Sequence, residues 1–233
     1  MSWINRGFCY IGLNEADGTL HRPIPTDAPS QCCWPSDCDM EVGKTYQFQE
    51  VMKDVDTEYP HKNDDFLVKS DEVNEVERVQ TRSLFQQLKF LSQPTLVSLF
   101  GQNVVVNPNT HSVYVNEGEM CASYGILRIE RRSVNFVNQY NKDFLTVRDN
   151  DGCLMKLSWT SVEQVQKIEA QMARTPPEDE VLVFIGLGRG FSPQGKFNPP
   201  RCYALGLGVF FDTIVVLLLQ RNDGIDRISW SKE

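Results

Sequence analysis

The sequence predicts a mainly β fold with a few helices, arranged as two small β-barrels joined by a helical connector. Three observations carry this. Short apolar or alternating runs, each bounded by Gly, Pro, Asn or Asp, recur about ten times along the 233 residues. Asp17-Gly18 and Asn150-Asp151-Gly152 each sit between two such runs, as hairpin turns do. Helical spacing is confined to three stretches. Residues 1–70 form the first barrel, 71–100 the connector, and 101–233 the second barrel with an inserted helix over 161–174. A sandwich with inserted helices is the alternative arrangement.

Phe8-Cys9-Tyr10-Ile11-Gly12 and Leu20-His21-Arg22-Pro23-Ile24 read as the first hairpin, with Pro23 and Pro25 marking an edge or an exit from the sheet. Residues 25–41, rich in Pro, Ser, Asp and Cys, read as a loop. Val42 to Val51 alternates, Tyr46 and Phe48 against Gln47 and Gln49, and reads as one half-buried strand. Asp54 to Asp65 is an acidic loop broken at Tyr59-Pro60-His61. Phe66-Leu67-Val68 closes the unit, and Asp71 to Glu77 is a charged connector.

Leu84, Phe85, Leu88 and Leu91 lie three or four apart and make one face of a helix over 83–91. Pro94 starts a second helical turn through Leu99, and Gly101 ends it. Strands follow at Val104-Val105-Val106 and Ser112 to Val115. Ile126 to Val137 reads as one strand with Leu127, Ile129, Arg131 and Ser133 on one face. Phe144 to Val147 and Leu154 to Trp159 flank the second hairpin turn. Ser161 to Arg174 is a helix with Ser161 and Gln164 as its capping box, stopped by Pro176-Pro177. Val181 to Ile185, Tyr203 to Phe211 and Ile214 to Leu219 are the last strands.

Composition narrows the function. Apolar residues make up 41% of the chain and charged residues 23%, which excludes wholesale disorder and fibrous architectures. Met1-Ser2-Trp3-Ile4-Asn5-Arg6 has no apolar core of leader length, and no apolar run reaches membrane length. The chain is therefore expected to be cytoplasmic, without membrane contact, with its seven cysteines as free thiols. Net charge is −8, and its distribution is lopsided. Residues 1–80 hold 7 basic and 16 acidic residues, a charge of −9; residues 81–233 hold the other 16 and 15, a charge of +1. A protein that coats nucleic acid is basic overall. Any such contact here must be a local patch.

Several motifs, in order, resemble the bacterial dual OB-containing domain family. They are Gly7-Phe8-Cys9-Tyr10-Ile11-Gly12, Asp17-Gly18, Arg22-Pro23-Ile24 and Val42-Gly43, then Pro60-His61 with Asp64-Asp65-Phe66-Leu67-Val68. The second half continues with Ser98-Leu99-Phe100-Gly101, Leu127-Arg128-Ile129, Phe144-Leu145-Thr146-Val147-Arg148-Asp149, Gly186 to Phe191 and Cys202-Tyr203-Ala204-Leu205. The similarity runs with gaps over most of residues 6–211. Where the family often has an aromatic before Arg-Pro, this chain has Leu20-His21. The resemblance implies that both barrels are OB folds, within a bacterial multi-gene system such as antiviral defence. It implies no established activity, since a fold does not dictate a function.

Candidate residues follow from chemistry. Arg189, Lys196 and Arg201 are interleaved with Phe191, Phe197 and Tyr203, and no acidic residue lies between Glu180 and Asp212. OB folds hold single strands with cations on phosphate and aromatic rings under bases. Arg128 and Arg132 share one face of their expected strand and form a second basic pair. Gly186-x-Gly188-x-Gly190 lacks the spacing and the following helix of a nucleotide loop. Asp54, Asp56, Glu58, Asp64 and Asp65 lack the order of a calcium loop and read as a docking surface for a basic protein partner. Cys32, Cys33 and Cys38 are a weak zinc candidate, with no second Cys pair to complete it. No catalytic constellation, resident metal or cofactor is expected. Asp149, Asp151 and Asp212 are scattered, and nothing pairs Cys9 or Cys32 with His61 as nucleophile and base. The expected function is non-enzymatic binding of single-stranded RNA or DNA, as an accessory or recognition subunit. The alternative is a protein–protein adaptor without nucleic-acid contact.

Overall fold

The computed structural model describes residues 10–14, 18–26, 34, 38, 44–48, 51–53, 57–69, 73–78, 81–161 and 164–211. The expected mainly β fold is the one the chain adopts. The strands in chain order are β1 (Gly12–Leu13), β2 (Leu20–Pro25), β3 (Lys44–Phe48), β4 (Val51–Lys53), β5 (Asp65–Val68) and β6 (Val73–Arg78). Helices α1 (Thr81–Leu91) and α2 (Leu96–Phe100) follow. Then come β7 (Val105–Val106), β8 (Val113–Asn116), β9 (Tyr124–Glu130), β10 (Val134–Gln139), β11 (Lys142–Arg148), β12 (Leu154–Trp159), α3 (Val165–Met172), β13 (Glu180–Leu187) and β14 (Arg201–Phe211). The strand expected at 214–219 lies outside the described residues.

The large sheet runs β10-β11-β12-β14-β13-β9, with β8 pairing the start of β14 and β7 pairing β8. β12 and β14 are parallel, whereas their neighbours pair antiparallel. The two outer strands, β9 and β10, are consecutive segments of one chain stretch, so the sheet curls into a half-barrel. Its interior holds Leu127, Ile129, Val134, Phe136, Leu145, Val147, Met155 and Leu157, with Val181, Val183 and Ile185 opposite. α3 closes one side with Val165, Ile168 and Met172.

The stretch 126–137 corrects the sequence reading. It is two strands, broken by a 3-10 turn at Arg131–Ser133. The turn changes the face parity. Leu127 and Ile129 enter the core on odd numbers, and Val134 and Phe136 enter it on even ones. Arg131 and Ser133 therefore do not share the face of Leu127 and Ile129.

β13 is buried along Val181–Leu187, as a strand covered on both faces must be. Val181, Val183 and Ile185 fill the interior, while Leu182 and Phe184 point outward. There Phe85 and Leu88 of α1 cover them, with Tyr124, Ile126 and Leu207. Each such burial contributes about 1.5–3 kcal/mol. Ile11 and Leu20 join the same outer cluster, so the amino-terminal hairpin also sits on this face.

Other elements differ at their limits. Residues 42–51 hold two strands in separate sheets rather than one. The charged connector contains β6, which pairs with β3. The Ser161–Gln164 capping box is absent, since Gln164 is the N-cap of α3 and makes no side-chain cap bond. The capping box lies instead on α2, where Thr95 accepts from the Ser98 N–H and the Ser98 hydroxyl faces the Thr95 N–H. Gly101 ends α2 at φ 82°, a conformation that favours glycine.

In the first third, β1-β2-β5-β4 form one sheet and β3-β6 a two-stranded ribbon. Tyr10, Trp34 and Val68 make a small core with Tyr46, Phe48 and Val73. No helix among the described residues is long and apolar enough to cross a membrane.

Candidate functional site

The register of β10, β11 and β12 defines one face of the half-barrel that is uncovered among the described residues. Asn135 lies opposite Thr146, Val137 opposite Phe144, and Gln139 opposite Lys142. Phe144 lies opposite Ser158, Thr146 opposite Lys156, and Arg148 opposite Leu154. Directly paired residues share a face. The outward positions are thus Asn135, Val137 and Gln139, then Lys142, Phe144, Thr146 and Arg148, then Leu154, Lys156 and Ser158. Not one is a carboxylate, in a chain of net charge −8.

The chemistry of this face is cationic and aromatic. The Lys156 ammonium lies 4.4 Å from the Phe144 ring centroid and donates to the Gln139 side-chain oxygen. Arg148 donates to the Gly152 carbonyl at 2.8 Å, which holds its stem along the hairpin. Tyr140 and Asn141 form a two-residue loop with φ of 56° and 58°, the left-handed pair of a tight hairpin. That loop leaves the Tyr140 ring 85% exposed at its tip. At the other end Arg132, Ser133, Asn135, Thr146, Arg148 and Leu154 line an open depression of about 380 Å³.

Arg128 and Arg132 are not brought together as a strand pair. Arg128 sits on β9, 3.6 Å from the Glu180 carboxylate. Arg132 lies in the 3-10 turn and pairs with Glu130. Of the two, only Arg132 borders the uncovered face.

The 186–203 segment is the β13–β14 connection. Phe191 and Arg201 exchange backbone bonds at 2.9 and 3.1 Å and close its base. The Arg201 guanidinium stacks between Phe197, 3.9 Å away, and Tyr114, 4.3 Å away. Tyr203 packs on Tyr114 at 5.6 Å, and the Lys196 ammonium lies 5.9 Å from the Phe197 ring. Of the rings expected to stack on bases, Phe197 therefore stacks on the segment's own cations and Tyr203 packs on Tyr114. Lys196 is exposed, and Phe191 is 57% exposed.

The glycines of this segment have packing reasons. A Cβ on Gly186 would lie 2.7 Å from Leu207 and 3.0 Å from Tyr124, and one on Gly190 would meet the Glu117 carboxylate. Gly186→Ala is expected to lower stability by about 1–3 kcal/mol through overpacking, measured by denaturant unfolding. No change would show that the sheet relaxes freely there.

Arg189 and the acidic stretch meet each other. Asp65 is fully buried, and Arg22 is 5% exposed. Arg22 donates to both Asp65 oxygens, Nε at 2.8 Å and Nη2 at 2.7 Å. Arg189 reaches the same carboxylate at 2.8 Å. Asp64 accepts from the Ser123 N–H, and burial raises its pKa. Glu58 is exposed, while Asp54 and Asp56 lie outside the described residues.

His61 completes this junction. It is 2% exposed, and its Nε2–H donates to the Gly188 carbonyl at 3.1 Å. Its Nδ1 is buried with no hydrogen-bond partner. Burial, with the Arg22 and Arg189 charges, pushes its pKa down to about 4, against the pull of Asp65 and the Gly188 carbonyl. The imidazole is neutral and its free nitrogen is enclosed, so it is a packing element here rather than an accessible base.

Among the described residues no three His, Cys, Asp or Glu side chains group as a metal site. Cys32 and Cys33 lie outside them; Cys38 is half-buried and is not disulfide-bonded. Burial raises the thiol pKa of Cys121 to about 11 and of Cys202 to about 12, which keeps both protonated. Asp149 is buried and accepts from the backbone N–H groups of Leu96, Asp151 and Cys153, a structural clamp between α2 and the second hairpin.

Sequence reasoning missed Lys142, Phe144, Arg148 and Lys156. The signal was present in the alternation of β11, where Lys142, Phe144, Thr146 and Arg148 fall on one face. What the alternation does not say is which face remains uncovered. Comparison of the chain with family models, curated proteins and solved structures finds no match.

Proposed function

We propose that the protein binds single-stranded nucleic acid on the outer face of β10, β11 and β12, as an accessory or recognition subunit rather than an enzyme. One observation carries the reading. In an acidic chain, the sheet face left uncovered among the described residues holds Lys142, Arg148 and Lys156 around Phe144, with Arg132 at its rim and no carboxylate among its outward positions. Cations along a groove neutralise phosphates, and an aromatic ring gives a base a surface to stack on.

The sheet order supports the same reading. If β9 and β10 count as one bent strand, five strands follow one another. The third and fifth run parallel, and a helix lies between the third and fourth. That order resembles the plan of an OB barrel, whose second and third strands carry the ligand face. Those strands are β11 and β12. The resemblance to the dual OB-containing family points the same way.

Fluorescence anisotropy with labelled single-stranded RNA, single-stranded DNA and duplex tests this. Saturable binding to a single strand that weakens with salt is expected. Phe144→Ala with Lys156→Ala is expected to weaken it about tenfold or more, from one lost stacking contact and one lost phosphate contact. The salt slope should fall by about one. Lys196→Ala with Arg201→Ala isolates the β13–β14 segment; unchanged affinity there assigns binding to the strand face alone. No binding at low salt to any of the three probes overturns the proposal.

A further inference from the structure

The uncovered face ends differently at its two ends. At the Arg148 and Leu154 end, the depression holds two arginines with Ser133, Asn135 and Thr146, a set of cations and neutral donors suited to phosphate. Four residues along the strands, at the Phe144 and Ser158 pair, the character changes. Here an open pocket of about 500 Å³ spans the end of the sheet, lined by Lys142 and Ser158 from the uncovered face, by Asp143 and Trp159 from the opposite, core-side face, and by Gln164 and Gln166. That volume lies within the range of small-ligand sites, about 300–1,000 Å³. The two ends are about 13 Å apart along the strands, which suits a short run of nucleotides.

The pocket is built for a base rather than a phosphate. It sets one carboxylate, which repels phosphate, beside one ammonium, Lys142, so it lacks the surplus of cations at the other end, and its neutral amides and hydroxyls read base edges. Its floor is held in place. The Trp159 indole packs edge-on against Phe136 at 5.0 Å. Thr160 is tied to the Gly206 carbonyl through its N–H at 3.1 Å. Asp143 is held on one side by the Asn138 amide at 2.7 Å, which leaves its second oxygen to accept from a ligand.

We infer that this pocket takes one nucleobase of the bound strand, and that Asp143 selects a base with an exocyclic amino group over uracil or thymine. The carboxylate is an acceptor only, so at the position of the cytosine or adenine amino group it gains a donor, whereas uracil sets its O4 oxygen there and offers only the neighbouring N3–H. The inference rests on the proposed nucleic-acid reading.

Anisotropy with short homopolymers of C, A and U at one salt concentration tests it. Oligo-C and oligo-A are expected to bind about tenfold more tightly than oligo-U. Asp143→Asn should abolish most of that preference, bringing the affinities for oligo-C, oligo-A and oligo-U within about twofold of one another. A ligand-side probe needs no variant: oligo-C with dimethylated exocyclic amines should bind like oligo-U. Equal affinity of the native protein for all three homopolymers overturns the pocket inference and leaves the nucleic-acid reading standing. So does a preference that survives both the substitution and the methylation. No binding to any homopolymer instead overturns the reading on which the pocket rests.

Discussion

Asp65→Ala is expected to lower the unfolding free energy by about 3–5 kcal/mol, the cost of breaking a buried ion pair from one side. The substitution leaves the Arg22 guanidinium, 5% exposed, with its carboxylate gone. It also removes the partner of Arg189, and with it a link between β5 and the β13–β14 connection. Three of the contacts at this junction converge on a single carboxylate. Denaturant unfolding of the native protein and the variant measures the effect. Glu130→Ala serves as the comparison, since its pair with Arg132 is at the surface and is worth at most about 1 kcal/mol. A loss at Asp65 no larger than that at Glu130 would mean that the junction contributes little to stability.

Acidification is expected to destabilise the same junction through His61. Its folded pKa, about 4, lies below the ordinary value of 6.5. The unfolded chain therefore takes up a proton that the folded chain refuses. The stability His61 contributes is complete above pH 6.5 and is lost progressively as pH falls from there toward 4. The full loss is about 3 kcal/mol. The geometry gives the reason. Nε2–H is already committed to the Gly188 carbonyl, and protonated Nδ1 would be a buried donor without an acceptor, beside two arginines. Asp64 acts with the opposite sign, because its folded pKa is raised; as pH falls the folded state gains a proton there first and offsets part of the loss. Unfolding free energies across this pH window, for the native protein and His61→Gln, measure the term. Equal slopes in the two proteins would remove His61 as its source.

These two expectations concern residues whose roles differ from those their sequence surroundings suggested. Asp64 and Asp65 sit in an acidic run that reads as a solvated docking surface, and Arg189 opens a run that reads as a phosphate contact. Charge along the chain cannot distinguish a surface carboxylate from one that a distant arginine will bury. Arg22 and Asp65 are 43 residues apart, and nothing local marks either as interior. Period-two logic likewise placed Arg128 and Arg132 on one face, and a single 3-10 turn between the strands undid it.

The sequence by itself determined the mainly β character, the positions of most strands and the three helical stretches. Each of these rests on local physics: Asn150-Asp151-Gly152 makes a hairpin, Val181 to Ile185 is an unbroken apolar run of strand length, and Phe85 with Leu88 needs an apolar surface to cover. The acidity of the first third was equally plain. Only the tertiary structure decided which surfaces are left for a ligand. α1 and the amino-terminal hairpin cover the outer face of β9, β13 and β14, and among the described residues nothing packs over the outer face of β10, β11 and β12. The reason is that a face becomes interior or exterior by what packs on it from elsewhere in the chain. Alternation pairs Lys142 with Phe144, Thr146 and Arg148, and long-range packing alone makes that row a surface.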